Sequence, residues 1–332
     1  MPRSPQSPAL TRVVRTLSAG IGVVLSAALL SACGTSAGAS TSADVPMHTI
    51  ETTYGTVEVP VAPKRVVAAS YDTPWQLMSL GVTPAGTQDY GKWIKEFTTA
   101  QQDFVKGVPT IGSYGETKFE AIAAIKPDLI VGDADEIDAD TFKRLSSIAP
   151  TVIAKGDSRG DWATITEQLA EAVGKTDAWK QARTTYTETL TKLKTDYAEV
   201  IANNTWVHFS LGDGPGQFSI QEPTGSIGNL VVNEVGLKPG SSVPDQKSDA
   251  GYSSYPFEQI GSVFGGVTVA IHPLNADGSL VPGIQDVLDN ELFTRLPVST
   301  EHHVFGLRTS ITDYVTATEW LHELEGSVLA KL

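Results

Sequence analysis

The chain has 332 residues, 41% of them hydrophobic and 19% charged, with 38 acidic against 24 basic side chains and a formal net charge of −14. That balance excludes a nucleic-acid binder and a protein that lies on anionic lipid, because both need basic surface. The hydrophobic share is that of an ordinary globular protein, and a single Cys leaves no disulfide framework and no C-x-x-C pair.

In chain order, Arg3, Arg12 and Arg15 precede an uncharged stretch from Thr16 to Ala32, the layout of a secretory signal peptide. The stretch is shorter than the roughly 20 residues a membrane-spanning helix needs. It ends in Leu30-Ser31-Ala32-Cys33, which resembles the lipobox of bacterial lipoproteins. That resemblance implies removal of residues 1–32, diacylglycerol on the Cys33 thiol, and a protein exported and lipid-anchored on the outer face of the cell membrane. An incidental or buried thiol, acting as a small hydrophobe, is the plainer alternative. Since the leader carries three Arg and no acid, the chain from Cys33 onward carries −17. Residues 33–44 read as the lipidated Cys and a flexible linker, from the Gly/Ala/Ser/Thr tract Ser36–Ser42. Gly34-Thr35-Ser36-Ala37-Gly38 matches a nucleophile elbow by letter, but it lacks the strand before it and the helix after it that the motif requires.

From Val66, short apolar runs alternate with helix-like stretches, the pattern of parallel α/β architecture. Strands are expected at Val66–Ala69, Leu129–Gly132 and Thr151–Ala154. Helices are expected at Pro74–Leu80, Phe119–Ile125, Ala139–Ile148 and Asp161–Val173. A different rhythm follows. From Asp177 to Ala202 apolar residues fall at Ala178, Ala182, Tyr186, Leu190, Leu193, Tyr197 and Val200/Ile201, one helical stripe with no Gly or Pro in it. It predicts a single helix about 39 Å long, although a coiled-coil partner helix would leave the same stripe. The alternation then resumes, with strands at Thr205–Leu211, Val267–His272 and His303–Leu307. Helices are expected at Ile227–Val235, Phe257–Val263, Ile284–Asn290 and Asp313–Lys331. The plan is an α/β lobe over residues 45–174, a linking helix over 175–203 and a second α/β lobe over 204–332.

Several segments carry a family resemblance. Ala62-Pro63-Lys64-Arg65-Val66-Val67-Ala68 is similar to the opening strand of the iron-siderophore substrate-binding proteins of ABC importers, the class III periplasmic-binding proteins. The run from Phe119-Glu120-Ala121-Ile122 to Lys126-Pro127-Asp128-Leu129-Ile130-Val131 resembles a second element of that family. Ile148–Val152, Leu169–Gly174 and Phe257-Glu258-Gln259-Ile260 add weaker matches. The resemblance implies two α/β lobes joined by one long helix and capture of a ferric siderophore in the cleft between them. It also implies delivery to an ABC permease and its ATPase. Glu120 and Glu258 match the two acidic residues, one per lobe, that dock on the permease. A carboxylate in a helix's first turn is favoured by the helix dipole in any protein, so a purely local role stays open for both. A monomer is expected, with no cofactor beyond the chelate it carries.

In open α/β sheets ligands bind beyond the carboxyl ends of the strands. That rule selects Ser70, Tyr71 and Asp72, then Tyr90, Trp93 and Tyr114, then Asp133, Arg159 and Trp162. In the second lobe it selects Phe209, Gln217, Phe218, Tyr252, Tyr255, His272 and Arg308. Tyr and Trp suit a bulky, partly apolar chelate, being large, rigid and polar at the tip. Each ring serves equally well as a plug in a lobe core. The two Arg suit ligand oxygens or ordinary surface ion pairs. Binders of ferric catecholates tend to place Arg in the loops that here read Leu211–Gln217 and His272–Asn275, which hold none; a neutral or cationic ferric hydroxamate, or a mixed chelate, is the expected ligand.

Rival functions find less support. The six His form no H-E-x-x-H, and Gly212-x-Gly214-x-Gly216 lacks the dinucleotide-binding spacing. No enzyme is expected. No direct metal site is expected either, since the His are dispersed and the first strand leads into Tyr71 and Asp72. Heme or cobalamin is the closer alternative, with His208, His272 or a Tyr as an axial ligand to heme iron.

Overall fold

The structure is a computed structural model that describes residues 45–244, 248 and 250–332; the expected leader, Cys33 and linker lie outside the described residues. The fold opens on a hairpin the alternation pattern does not flag, β1 (Met47–Thr52) against β2 (Gly55–Pro60), which buries Ile50 and Val59. Gly55 turns it at φ +116°, a region L side chains rarely adopt.

The first lobe continues as β3 (Val66–Ala68), α1 (Thr73–Ser79), α2 (Thr99–Val105), β4 (Gly112–Ser113), β5 (Glu116–Thr117), α3 (Phe119–Ile125), β6 (Leu129–Asp133), α4 (Ala139–Ser146), β7 (Thr151–Ala154) and α5 (Trp162–Ala172). Strands β3, β6 and β7 form a parallel sheet in that order. Successive residues split between its faces: Val66, Leu129 and Val152 enter one core, and Val67, Ile130 and Ile153 the other. Burial on both faces explains why these strands read as continuous apolar runs.

The linking segment is α6 (Thr176–Asp196) followed by α7 (Ala198–Asn203), with Tyr197 between them at φ −114°. The expected single helix is thus 21 residues long with a short continuation. It lies along the C-terminal helix Tyr314–Ser327, which supplies the partner its apolar stripe calls for.

The second lobe departs from an all-parallel pattern. Its five strands are β8 (Trp206–Leu211), β9 (Gln217–Gln221), β10 (Tyr252–Pro256), β11 (Val269–Pro273) and β12 (Val304–Leu307), in the order β10-β9-β8-β11-β12. Strands β8, β11 and β12 are parallel; β9 turns back antiparallel beside β8, and β10 pairs antiparallel with β9 at the edge. The stretch expected as a helix at Ile227–Val235 is one turn at Ser226–Gly228 and a π-helix over Asn229–Val235.

The lobes share packing as well as a helix. Trp162 of α5 lies in the core formed with Tyr186, Leu193 and Trp320. Its ring meets Tyr314 edge-on at 5.1 Å and Tyr186 at 6.0 Å. Thr312 O accepts from both Gln76 Nε2 and Thr166 Oγ1 of the first lobe. Such a seam, with the stiff helix, restricts hinge motion. Trp162→Ala is expected to cost about 3–5 kcal/mol of stability, read from urea unfolding. A loss under about 1 kcal/mol would show that the seam carries little.

Candidate functional site

The cleft forms where the carboxyl ends of the parallel strands of both sheets face each other. Its first-lobe wall bounds a cavity of about 240 Å³ lined by Tyr71 and Asp72 beyond β3, Asp133, Asp135 and Glu136 at and beyond β6, and Arg159 beyond β7. Trp93 and Glu96 from the loop between α1 and α2, and Tyr114 from the β4–β5 turn, complete it. Its second-lobe wall is lined by His208, Ser210 and Leu211 of β8, Pro273 and Leu274 at the end of β11, and Leu307 to Ile311 at the end of β12. Trp93, Glu96 and Arg159 line both, so the two hollows are one cleft. Backbone bonds cross between lobes from Gly160 N to Thr224 O, 3.0 Å, and from Ala276 N to Lys95 O, 3.2 Å. At Gly160 a Cβ would stand 2.6 Å from Thr224 O, so no other residue allows that approach.

Three rings form a corner of this wall. Tyr71 meets Trp93 at 5.6 Å and Tyr114 at 5.8 Å, both at 89°, and Trp93 meets Tyr114 at 6.5 Å and 80°. The Tyr71 backbone is held from two sides. Its N–H donates to Glu136 Oε2 at 2.7 Å, and its carbonyl accepts the Tyr90 hydroxyl at 2.6 Å. Burial pushes the Tyr71 phenol above its ordinary range, so it stays a neutral hydroxyl. Arg159 grips Asp72 with Nε and Nη2 at 2.8 and 2.7 Å.

Carboxylates dominate the charge of this wall. Asp133 is 7% exposed; one oxygen accepts the Glu136 N–H at 3.3 Å. Burial, with Asp72, Glu136 and Asp135 close by, pushes its carboxyl up to about 7. Burial likewise raises Glu96 and Glu136. Because the folded pKa of Asp133 lies above the ordinary 3.8, the native state keeps a proton that the unfolded chain has released, and stability falls as pH rises from about 4 to about 7. Asp133→Asn is therefore expected to match wild type near pH 4 and to exceed it by roughly 1–3 kcal/mol at pH 8. Urea unfolding at the two pH values checks this; an equal offset at both would reject it.

The structure sorts the residues expected at the site. Tyr71, Trp93, Tyr114, Arg159 and Arg308 line the cleft. Tyr90 lies behind Tyr71 against Trp75, Phe97 and Tyr71, supporting the wall from within. Three expectations are corrected. Trp162 points into the shared core, and Phe209 and Phe218 are 0% exposed in the second-lobe core with Phe264. A ring closed off by packing cannot touch a ligand. Gln217 lies at the start of β9, where its Oε1 accepts from Gly214 N and closes the β8–β9 turn. Tyr252 donates to Asp213 Oδ1 at 2.8 Å. Tyr255 stacks on Phe218 at 5.7 Å. Arg308 is tied to Glu323, with Nε 3.3 Å from Oε1. His208 lines the cleft with both ring nitrogens buried and unpartnered, and burial drives it down to about 3, so it is neutral.

Sequence reasoning missed Glu96, Asp135 and Glu136. The last two fall under the same strand-end rule that selected Asp133, carried three residues further along Asp133-Ala134-Asp135-Glu136. Glu96 sits in a 3₁₀ turn, Ile94–Glu96, where no periodicity marks it. Among the described residues no group of His, Cys, Asp or Glu stands at metal-binding spacing, and no helix is long and apolar enough to cross a membrane.

Residues 66–310 match the family model described as periplasmic binding protein. The chain is 29% identical over 215 residues to the probable siderophore-binding lipoprotein YfiY of Bacillus subtilis, a match covering 63% of each. It is 24% identical over 261 residues to the iron(3+)-hydroxamate-binding protein FhuD of the same organism, covering 76% of this chain and 78% of that one. The matches span 63% and 53% of the length of YfiY and of the substrate-binding lipoprotein YhfQ, less than two thirds of either. The siderophore periplasmic binding protein from the fuscachelin gene cluster of Thermobifida fusca shares the fold, with a TM-score of 0.70 at 23% identity over 82% of this chain and 98% of that one.

Proposed function

As the chain belongs to the periplasmic binding protein family, a family of binders and not of enzymes, we propose that it is the extracytoplasmic substrate-binding component of an ABC importer and captures a ferric siderophore between its lobes. The observation that carries this reading is the cleft itself. It lies at both sheets' carboxyl ends, is walled by an aromatic corner, and its two hollows join at Trp93, Glu96 and Arg159, so that a chelate seated there meets both lobes. Tyr71, Trp93 and Tyr114 supply flat, rigid contact surface, Arg159 stands where the two hollows join, and Arg308 lines the second-lobe wall. The iron arrives as part of the chelate, as cargo.

Delivery follows from two further parts. Lipid on Cys33 would confine the binder to the membrane's outer face, where its effective concentration near a permease is high. Glu120 and Glu258 would dock on the permease, one from each lobe. No covalent chemistry takes place; binding, slight closure and docking are the whole mechanism.

The test is a tryptophan-fluorescence titration against ferric hydroxamates, ferric catecholates, ferric citrate, hemin and cobalamin. Trp93 is the reporter, since Trp162 is sealed in the core. Saturable quenching by a ferric siderophore is expected. A Soret shift with hemin, and no response to any siderophore, would replace this reading with heme capture.

A further inference from the structure

We propose that the first-lobe wall of the cleft recognises positive charge, so that the chelate is held by a cationic group seated in the corner formed by Tyr71, Trp93 and Tyr114. This rests on reading the cleft as a siderophore site, and it adds which chelates are selected and how they are oriented.

Three observations combine. The three rings stand mutually near perpendicular in edge-to-face contact, at 89°, 89° and 80°, so the corner is built of aromatic rings in different planes, and a ring face attracts a cation electrostatically. Their faces already attract cations: Lys92 Nζ sits 4.9 Å from the Trp93 centroid and Arg159 Cζ 5.8 Å from that of Tyr71. Around the corner, five carboxylates (Asp72, Glu96, Asp133, Asp135 and Glu136) share the cavity with one guanidinium. Asp72 neutralises that guanidinium in a two-pronged pair. Asp133 is more than nine-tenths buried, and its second carboxylate oxygen takes no donor among the described residues. With Asp72 paired and Asp133 holding its proton up to about pH 7, Glu96, Asp135 and Glu136 still leave this wall with acid in excess of its own cations.

The opposite wall differs. Its charged member, Arg308, is tied to Glu323, and His208 is neutral; Leu211, Leu274 and Leu307 supply apolar contact. A chelate with a positive end and an apolar body fits one way round, with its charge toward Glu96 and Asp135 and its body toward the second lobe. An anionic chelate meets the carboxylates directly.

The test is a charge ladder on one scaffold: a ferric linear trihydroxamate bearing a free terminal amine, the same chelate N-acetylated, and the same chelate N-succinylated. Calorimetric titration is expected to give affinities falling in that order, by about tenfold or more from amine to acetyl. In the double variant Glu96→Gln, Asp135→Asn the ratio of amine to acetyl affinity should fall toward one. Both side chains are solvent-exposed, and a thermal melt beside wild type confirms the fold. Equal binding of all three chelates, or tightest binding of the succinylated one, overturns the proposal while leaving siderophore capture intact. An unchanged ratio in the double variant also overturns it. Failure of every ferric chelate to bind overturns both.

Discussion

Charge reversal at both docking positions, Glu120→Lys with Glu258→Lys, is expected to abolish uptake of the ferric chelate by cells while leaving the purified protein's affinity for it unchanged. Glu120 is exposed in the first turn of α3, and Glu258 is exposed in the 3₁₀ turn Phe257–Gln259 that leads into the helix Ile260–Phe264. Each of these helical segments runs directly into a strand of its lobe's parallel sheet, β6 or β11. An element that precedes a parallel strand begins near the carboxyl end of that sheet, so both Glu occupy equivalent places at the cleft end of their lobes. Neither lines the cleft. A favourable helix-dipole interaction at such a position contributes about 0.3–1 kcal/mol, so the reversal leaves the fold standing. A local capping role predicts a small loss of stability and normal uptake; docking predicts the reverse. Radiolabelled-iron uptake beside calorimetry on the purified variant separates them. A fall in ligand affinity would remove these residues from docking altogether.

Removal of the aromatic corner, Tyr71→Ala with Trp93→Ala, should weaken chelate binding by about 100-fold, or ~2.8 kcal/mol. Both rings belong to a small cluster under the α1–α2 loop, apart from the cores that hold the sheets. They are partly open to the cleft and pre-positioned, since the backbone of Tyr71 is clamped by Glu136 and Tyr90 and Trp93 N bonds Tyr90 O at 2.8 Å. Little side-chain entropy is left to lose on binding, so truncation removes contact area that was already organised. Calorimetry is the measurement, because the variant lacks its fluorescent reporter. A decrease of less than about threefold would place the ligand elsewhere.

Much of the fold was legible along the chain. The strand Thr151–Ala154 and the helix Phe119–Ile125 lie where the pattern predicts, and the long helix begins one residue early and is interrupted at Tyr197. The signal is clear because strands buried on both faces are bounded by Pro and Gly, and because a stripe of seven apolar positions has one period. The elements it missed are those whose signal is weak or mixed. The hairpin Met47–Pro60 is half polar, and β9 and β10 sit at a sheet edge among Gly, Ser and Thr. At the site, strand ends could be found, but the facing of each ring could not. Phe209 lies on the same side of β8 as Val207, which puts it in the core, while His208 and Ser210 face the cleft.

The sequence alone determined the class of architecture, the strand ends that had to converge and the acidic character of the chain, because periodicity, punctuation and composition are local properties; the family came from the resemblance of its segments, such as Phe119–Val131, to known ones. The expected lipid anchor is read from sequence as well. Only the tertiary structure decided which aromatics are wall and which are core. It also brought Glu96, Asp135 and Glu136 together around Tyr71, Trp93 and Tyr114, and it joined the two lobes through Trp162 and Tyr314. The reason is that side-chain burial depends on which faces meet after the sheets twist and the helices pack. A Trp one turn past a strand end can then face the ligand, as Trp93 does through its loop, or become the centre of a core, as Trp162 does.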